Sequence, residues 1–164
     1  MIEFLVFDVD GTLSDGRVYY SQSGEEIKSF DIRDGLAISV WNHQLKRHSA
    51  IITGRESAIV EKRAQELGIA HIYMGVANKA QKLQELLERL DLKPSNVACI
   101  GDDLNDIGLF KICAKAYMPR NGAKELEKYA FKILKRKGGR GAVREMIEDV
   151  LKINGDKKLE KYFL

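Results

Sequence analysis

Short apolar runs alternate with amphipathic stretches along most of this chain. Runs of strand type fall at Glu3–Phe7, Ser49–Ile52, His71–Met74, Val97–Ile100, Ala116–Met118 and Phe131–Leu134. They are brief and almost unbroken in apolar character, as strands covered on both faces must be. The stretches between them keep helical spacing. Within Leu36–Arg47, the residues Leu36, Val40, Trp41 and Leu45 share one side. Ala58–Leu67 stops before Gly68, a natural residue for closing a helix. Asn78–Leu90 repeats leucine at 83, 86, 87 and 90, and Gly141–Ile153 aligns Val143, Met146, Ile147, Val150 and Leu151. Strands alternating with helices predict an α/β fold: a doubly wound, Rossmann-like, mostly parallel sheet with helices on both faces. One segment departs from the alternation. Gly16–Ile32 has two β-rich arms around Ser23-Gly24, which predicts a hairpin flap over the edge that follows the first strand. Residues 1–153 are expected to form one domain, with the flap at about 16–32. Residues 154–164 read as a C-terminal tail that packs on a neighbouring subunit or is disordered.

Composition narrows the class of protein. A chain of 164 residues is long enough for one substantial core. A net charge of only +3 argues against a nucleic-acid partner. Cys99 and Cys113 have neither metal nor redox spacing, so reduced thiols in a cytoplasmic protein are expected. The first apolar run stops at Asp8, unlike a secretory leader, and no run approaches the roughly 20 residues of a membrane span. His43, His48 and His71 are isolated, without metal-type spacing, and read as structural or surface residues. Tyr19 and Tyr20, an aromatic pair on the flap, mark a candidate interface.

Two of the strand-type runs end in acid. Asp8 and Asp10 stand in Asp-Val-Asp-Gly-Thr, and Asp102, Asp103 and Asp106 in Gly-Asp-Asp-Leu-Asn-Asp. Parallel strands present their carboxyl ends on one edge, where ligands bind in open α/β folds. Bunched carboxylates there make a hard-cation site, and oxygen-only ligation selects Mg²⁺. A nucleophile beside a cation suggests phosphoryl chemistry. An aspartate nucleophile divides the displacement into two steps, and a second aspartate protonates the leaving oxygen and then deprotonates water. Between the clusters, Thr53-Gly54-Arg55 follows an apolar strand, and the hydroxyl and succeeding amides suit phosphoryl oxygens. A plain strand-to-helix turn has the same look. Lys79, at a helix start, reads alone as a solvated lysine; beside Asp8 it would neutralise nucleophile and phosphoryl charge.

These motifs, in this order on an alternating chain, resemble the haloacid dehalogenase superfamily of phosphohydrolases. The resemblance implies Asp8 as nucleophile, Asp10 as general acid/base, and Thr53 and Lys79 as phosphoryl ligands. It implies Mg²⁺ held by Asp8, the backbone carbonyl of Asp10 and Asp102, with Asp103 and Asp106 in support. The spacing between motifs leaves no room for the cap domain that many members insert. Together with Phe30-Asp-Ile-Arg-Asp-Gly35, Gly54-Arg-Glu-Ser57, Arg63 and the late Gly138-Gly-Arg-Gly-Ala-Val-Arg-Glu145, the chain is similar to the capless 3-deoxy-D-manno-octulosonate (KDO) 8-phosphate phosphatase family. That resemblance implies a homotetramer in which a neighbour helps close each open site, an acidic sugar phosphate as substrate, and a place in lipopolysaccharide sugar synthesis. It further implies substrate contacts from Asp10, the loop Asp31, Ile32, Arg33, Asp34 and Gly35, and from Gly54, Arg55, Arg63 and Lys79. Arg55 and Arg63 offer planar forks suited to a carboxylate. Lys135, Arg136, Lys137, Arg140 and Arg144 either steer an acidic substrate or form a solvated face.

Two other readings compete. A sister group that cleaves nine-carbon keto-acid 9-phosphates tends to carry Glu where this chain has Arg55, so Arg55 favours the eight-carbon substrate. A phospho-accepting receiver domain also combines acidic residues, Thr and Lys on such a sheet. Receivers place an acidic pair after the first strand, whereas here the adjacent pair comes much later.

Overall fold

In the computed structural model, which describes residues 1–164, the elements follow one another in chain order. Strand β1 (Phe4–Phe7) precedes a hairpin of β2 (Tyr19–Tyr20) and β3 (Glu26–Ile27), then α1 (Ile32–Ser39), β4 (His48–Ile52), α2 (Ala58–Glu66), β5 (His71–Tyr73) and α3 (Lys79–Leu90). The second half runs β6 (Val97–Ile100), α4 (Ile107–Ile112), β7 (Lys115–Met118), β8 (Lys132–Ile133) and α5 (Ala142–Asn154). Six strands form one sheet in the order β5-β4-β1-β6-β7-β8, and every adjacent pair is parallel. All six apolar runs therefore become its strands.

The sheet explains where chemistry can happen. From β1 the chain builds outward through β4 and β5, then returns to place β6 against the other side of β1. Phe7 is in register with both Ile51 and Ile100. The order thus reverses between β1 and β6, and an open α/β sheet has its binding crevice outside the strand ends at such a point. Alternation along β1 sends Leu5 and Phe7 into a core with α1, α2 and α5, and Phe4 and Val6 into a second core with α3 and α4. No cap domain interrupts this frame.

The structure corrects the first expected helix. Asp31 caps it by accepting from the Arg33 amide at 2.7 Å, so α1 starts at Ile32, four residues early. From Val40 to Gln44 the backbone widens into a π turn, with Leu45 N donating to Val40 O at 3.0 Å. A regular 3.6-residue count run through a wider turn loses phase. Leu36, spaced to face inward, is 43% exposed, and Ala37 and Ile38 are buried instead. Trp41 is fully buried as core, and its indole N–H donates to the His48 carbonyl.

The segment 31–35 is likewise a helix start rather than a loop. Asp34 is buried, and its carboxylate accepts from the amides of Gly141 (3.3 Å) and Arg144 (2.8 Å). Gly141, the residue before α5, has no capping side chain of its own, so Asp34 supplies the cap from another helix. The tail also differs from expectation. It folds back on its own chain: Asp156 pairs with Arg47 at 2.6 Å, Asn154 exchanges hydrogen bonds with the backbone of Ile2, and Leu159 is buried in the first core. No helix is long and apolar enough to cross a membrane.

Burial is the main influence that pushes the Asp34 carboxyl up to about 6, and the Arg144 and Gly141 amides oppose it only in part. Because the folded-state value lies above the unfolded one, the native state binds this proton more tightly. Asp34 therefore lowers stability progressively as pH rises from about 4 to about 6, and by a constant amount beyond. Asp34→Asn should make the urea midpoint less dependent on pH across that window than in wild type; parallel profiles would count against the assignment. Asp34→Ala, leaving two helix-start amides without acceptors, should lose about 1–3 kcal/mol at pH 4, where the folded carboxyl is protonated, and less at pH 7, where the substitution also removes a disfavoured charge.

Candidate active site

Each residue of the crevice is placed by a strand end or a helix start. Asp8 follows β1 directly, its amide donating to Ile100 O at 3.1 Å, and its side chain is buried. Lys79 opens α3, whose start is fixed by Asn78 accepting from the Gln81 amide. From there its ammonium reaches Asp8 Oδ1 and Asp106 Oδ1, both at 2.6 Å, with Lys79 itself only 2% exposed. The other oxygen of Asp106 accepts from the amides of Asp102 (2.9 Å) and Asp103 (3.3 Å). Asp106 is thus occupied on both sides, as a brace between the lysine and the acidic loop. Asp103 is exposed and caps the short turn Leu104–Asp106 through the Leu104 amide at 2.7 Å. It supports the loop from outside.

Carboxylate oxygens of Asp8, Asp102 and Asp106 lie within 4.8 Å of one another. Gly11 permits this closeness: its φ is +89°, and a Cβ there would fall 1.9 Å from Asp102 Oδ2. The late glycines close the other flank. A Cβ on Gly138 would stand 1.7 Å from the Gly11 carbonyl oxygen, and Gly139 N donates to Thr12 O.

The electrostatics call for a cation. Burial, then the Asp106 charge, raise the Asp8 carboxyl well above the usual range despite attraction from Lys79. Asp102 is pushed up to about 7 by burial and by Asp106 and Asp103. Burial alone would lower the Lys79 ammonium, but Asp8 and Asp106 outweigh it and hold it above its ordinary value. One buried ammonium faces three crowded carboxylates, an all-oxygen set with charge to spare. These residues fit a hard divalent ion, with Asp8 and Asp102 as donors and Asp106 already committed.

Around this centre the other expected residues fall into two groups. Thr53 is buried at the end of β4, and its carbonyl accepts from Val76 N. Gly54 follows, and a Cβ there would make ordinary contact with the Val76 carbonyl oxygen at 3.8 Å. Arg55 leans across the edge, with Nη2 donating to Tyr20 Oη (3.0 Å) and Glu26 (3.3 Å), and Nε 3.7 Å from Asp10 Oδ2. Arg63 does not join it. Its guanidinium lies over the Phe30 ring and pairs with Glu66, and a Cβ on Gly35 would be 2.3 Å from its Nη2. Within this chain the two guanidinium groups hold different partners. Asp31 and Asp34 cap helices, and Ile32 is 81% exposed. The 31–35 side chains, Arg33 included, make no hydrogen bond to the Asp8–Lys79 centre. Of the late basic residues, Arg144 pairs with Glu148 on the surface, while Lys137 and Arg140 line a hollow with Asp15, Arg17 and Asn121.

Sequence reasoning missed Lys28 and Glu26. Lys28 has a fully buried side chain that donates to Asp10 Oδ1 and lies 3.4 Å from Glu26. A signal was present: in a hairpin arm, Glu26 and Lys28 fall on one face and Ile27 on the other.

A parallel sheet that gathers an aspartate nucleophile candidate, a buried lysine and a cation-ready acidic loop at its switch point has the build of a phosphoryl-transferring α/β hydrolase. A model of the haloacid dehalogenase-like hydrolases matches residues 25–147. The chain is 41% identical to the 3-deoxy-D-manno-octulosonate 8-phosphate phosphatase KdsC of Escherichia coli K12, over 94% of this chain and 81% of that protein. The crystal structure of the Moraxella catarrhalis phosphatase of that name, in complex with a magnesium ion, a phosphate ion and KDO, superposes with a TM-score of 0.92. It is 38% identical, over 99% of this chain and 91% of that one. The cobalt-bound form of the Haemophilus influenzae phosphatase gives 0.88 at 33% identity, over 94% and 90%. The chain belongs to the haloacid dehalogenase-like hydrolases, in the family of the KDO 8-phosphate phosphatases.

Lys79→Met should leave two buried carboxylates without their cation. Breaking a buried ionic cluster on one side costs about 3–5 kcal/mol, so urea unfolding in EDTA at pH 7 should fall by that order. A variant as stable as wild type would mean that the centre tolerates its charge without Lys79.

Proposed function

We propose that this chain is a Mg²⁺-dependent phosphatase that converts KDO 8-phosphate to KDO and phosphate through an aspartyl phosphate. The observation that carries the reading is the Asp8–Lys79 contact of 2.6 Å at the switch point, beside Asp102 and Asp106, in a chain so similar to KdsC. Asp8 is the nucleophile: a carboxylate oxygen attacks phosphorus as the bond to the sugar oxygen breaks. Asp10 gives that oxygen a proton, and then takes one from the water that attacks the aspartyl phosphate, releasing phosphate and restoring Asp8. Lys79, Thr53 and the amides after Thr53 hold the phosphoryl oxygens as charge develops. Bound Mg²⁺, held by Asp8, Asp102 and the Asp10 carbonyl, supplies charge neutralisation for carboxylate and phosphoryl groups.

Arg55 is the residue read as facing the substrate carboxylate. Half of its side chain is exposed at the rim, with donors directed across the edge. With no cap, the edge is open. Tyr19, Tyr20, Ile27, Ile32 and Leu36 are exposed on the flap and α1, an apolar surface that supports a homotetramer in which a neighbour completes the site. The same reading places the protein in the cytoplasm, with a small acidic sugar phosphate and no nucleic acid or membrane as partner.

Phosphate release from eight- and nine-carbon keto-acid sugar phosphates, with Mg²⁺ and with EDTA, tests the assignment. Turnover should favour the eight-carbon ester and vanish in EDTA; preference for the nine-carbon ester would replace the substrate. Asp8→Asn should retain the fold, judged by circular dichroism, and lose activity to background; appreciable turnover would refute the nucleophile. Arg55→Ala should raise KM for the keto-acid ester about tenfold or more, as losing a charge-assisted hydrogen bond predicts, with little change for p-nitrophenyl phosphate. Equal changes for both esters would remove Arg55 from substrate selection.

A further inference from the structure

We propose that Lys28 is a positioning residue for Asp10, which makes the hairpin flap part of the catalytic apparatus as well as a cover over the sheet edge. The proposal rests on the phosphatase reading above and deepens it. Most of the flap is solvated: Tyr20 is 63% exposed and Ile27 53%. The Lys28 side chain, one residue further along, has no exposure at all. A lysine ammonium taken wholly from water needs anionic partners, and this one has two, the Asp10 carboxylate and Glu26 at 3.4 Å. Glu26 offsets the buried charge and is itself tied to Arg55 at 3.3 Å.

The contact bears on catalysis because of where Asp10 is otherwise free. Asp10 takes no part in the Asp8, Asp102 and Asp106 cluster. It precedes Gly11, whose conformation few side chains adopt, on a loop that has left the strand. Lys28 donates to Oδ1, and Arg55 Nε stands 3.7 Å from Oδ2. The nearer, buried cation thus fixes which way the carboxylate turns. An acid must lie within hydrogen-bond reach of the leaving oxygen to deliver its proton. Lys28 touches no reacting atom. Its effect passes through the orientation of Asp10.

Such a role has a signature that simple structural damage lacks. A sugar alkoxide departs poorly without a proton, whereas p-nitrophenolate departs readily unaided. With saturating Mg²⁺, kcat/KM for an alkyl sugar phosphate should fall roughly 100-fold in Lys28→Met, and that for p-nitrophenyl phosphate only a few-fold. In an Asp10→Asn background, Lys28→Met should add almost nothing to the alkyl-ester loss. Where Lys28→Met fails to fold by circular dichroism, Lys28→Arg keeps the charge but changes its reach, and should show the same bias at smaller size. Equal losses on the two esters, or losses that multiply in the Asp10→Asn background, would overturn the assignment. A wild-type chain that hydrolyses neither ester overturns the phosphatase reading, and this assignment with it.

Discussion

The arrangement depends on one buried ionic contact, the Lys79 ammonium held at 2.6 Å from both Asp8 and Asp106. These three groups come from the end of β1, the start of α3 and the turn before α4, so the contact ties together elements distant in sequence. Each partner would be costly alone in this setting, since burial of an unpaired charge is strongly unfavourable. Together they satisfy part of the demand and leave Asp8 and Asp102 with excess negative charge. That residue of charge is what makes the crevice a place for a divalent ion and a phosphoryl group.

A second electrostatic layer lies over the first. Lys28 and Arg55 reach Asp10 from the flap and from the turn after β4, and Glu26 links the two cations. The acid/base candidate is therefore held by a different set of groups from the nucleophile candidate Asp8. This separation suits the chemistry. In the proposed cycle, a nucleophile at position 8 works best stripped of its proton beside cations, while an acid/base at position 10 exchanges a proton twice. Backbone contact brings the layers close: glycines at 11 and 138 remove the side chains that would otherwise hold the first motif away from the acidic loop and the late loop.

Much of the fold was legible because strand runs in a covered parallel sheet are short, apolar and flanked by polar turns. The runs ending at Phe7, Ile52 and Ile100 became three adjacent central strands. Where legibility failed, the reason was local geometry that periodicity does not encode. The π turn at Val40–Gln44 put Leu36 out of phase with the core. Asp34 reads in the sequence as a ligand of substrate, yet its carboxylate serves the amides of a helix more than a hundred residues away. Lys28 belongs to none of the motifs, and its burial against Asp10 depends on how the hairpin lies over the sheet edge.

The strand–helix alternation, the four motifs and the kind of chemistry they hold could be read along the chain, because these follow from residue type and short-range spacing. Which charges meet is settled by the folded arrangement. Whether a lysine is solvated or buried between two carboxylates, and whether an aspartate faces substrate or a helix end, depends on the approach of segments tens of residues apart. Electrostatic energy acts over a few ångströms of space, and separation along the chain does not measure that distance.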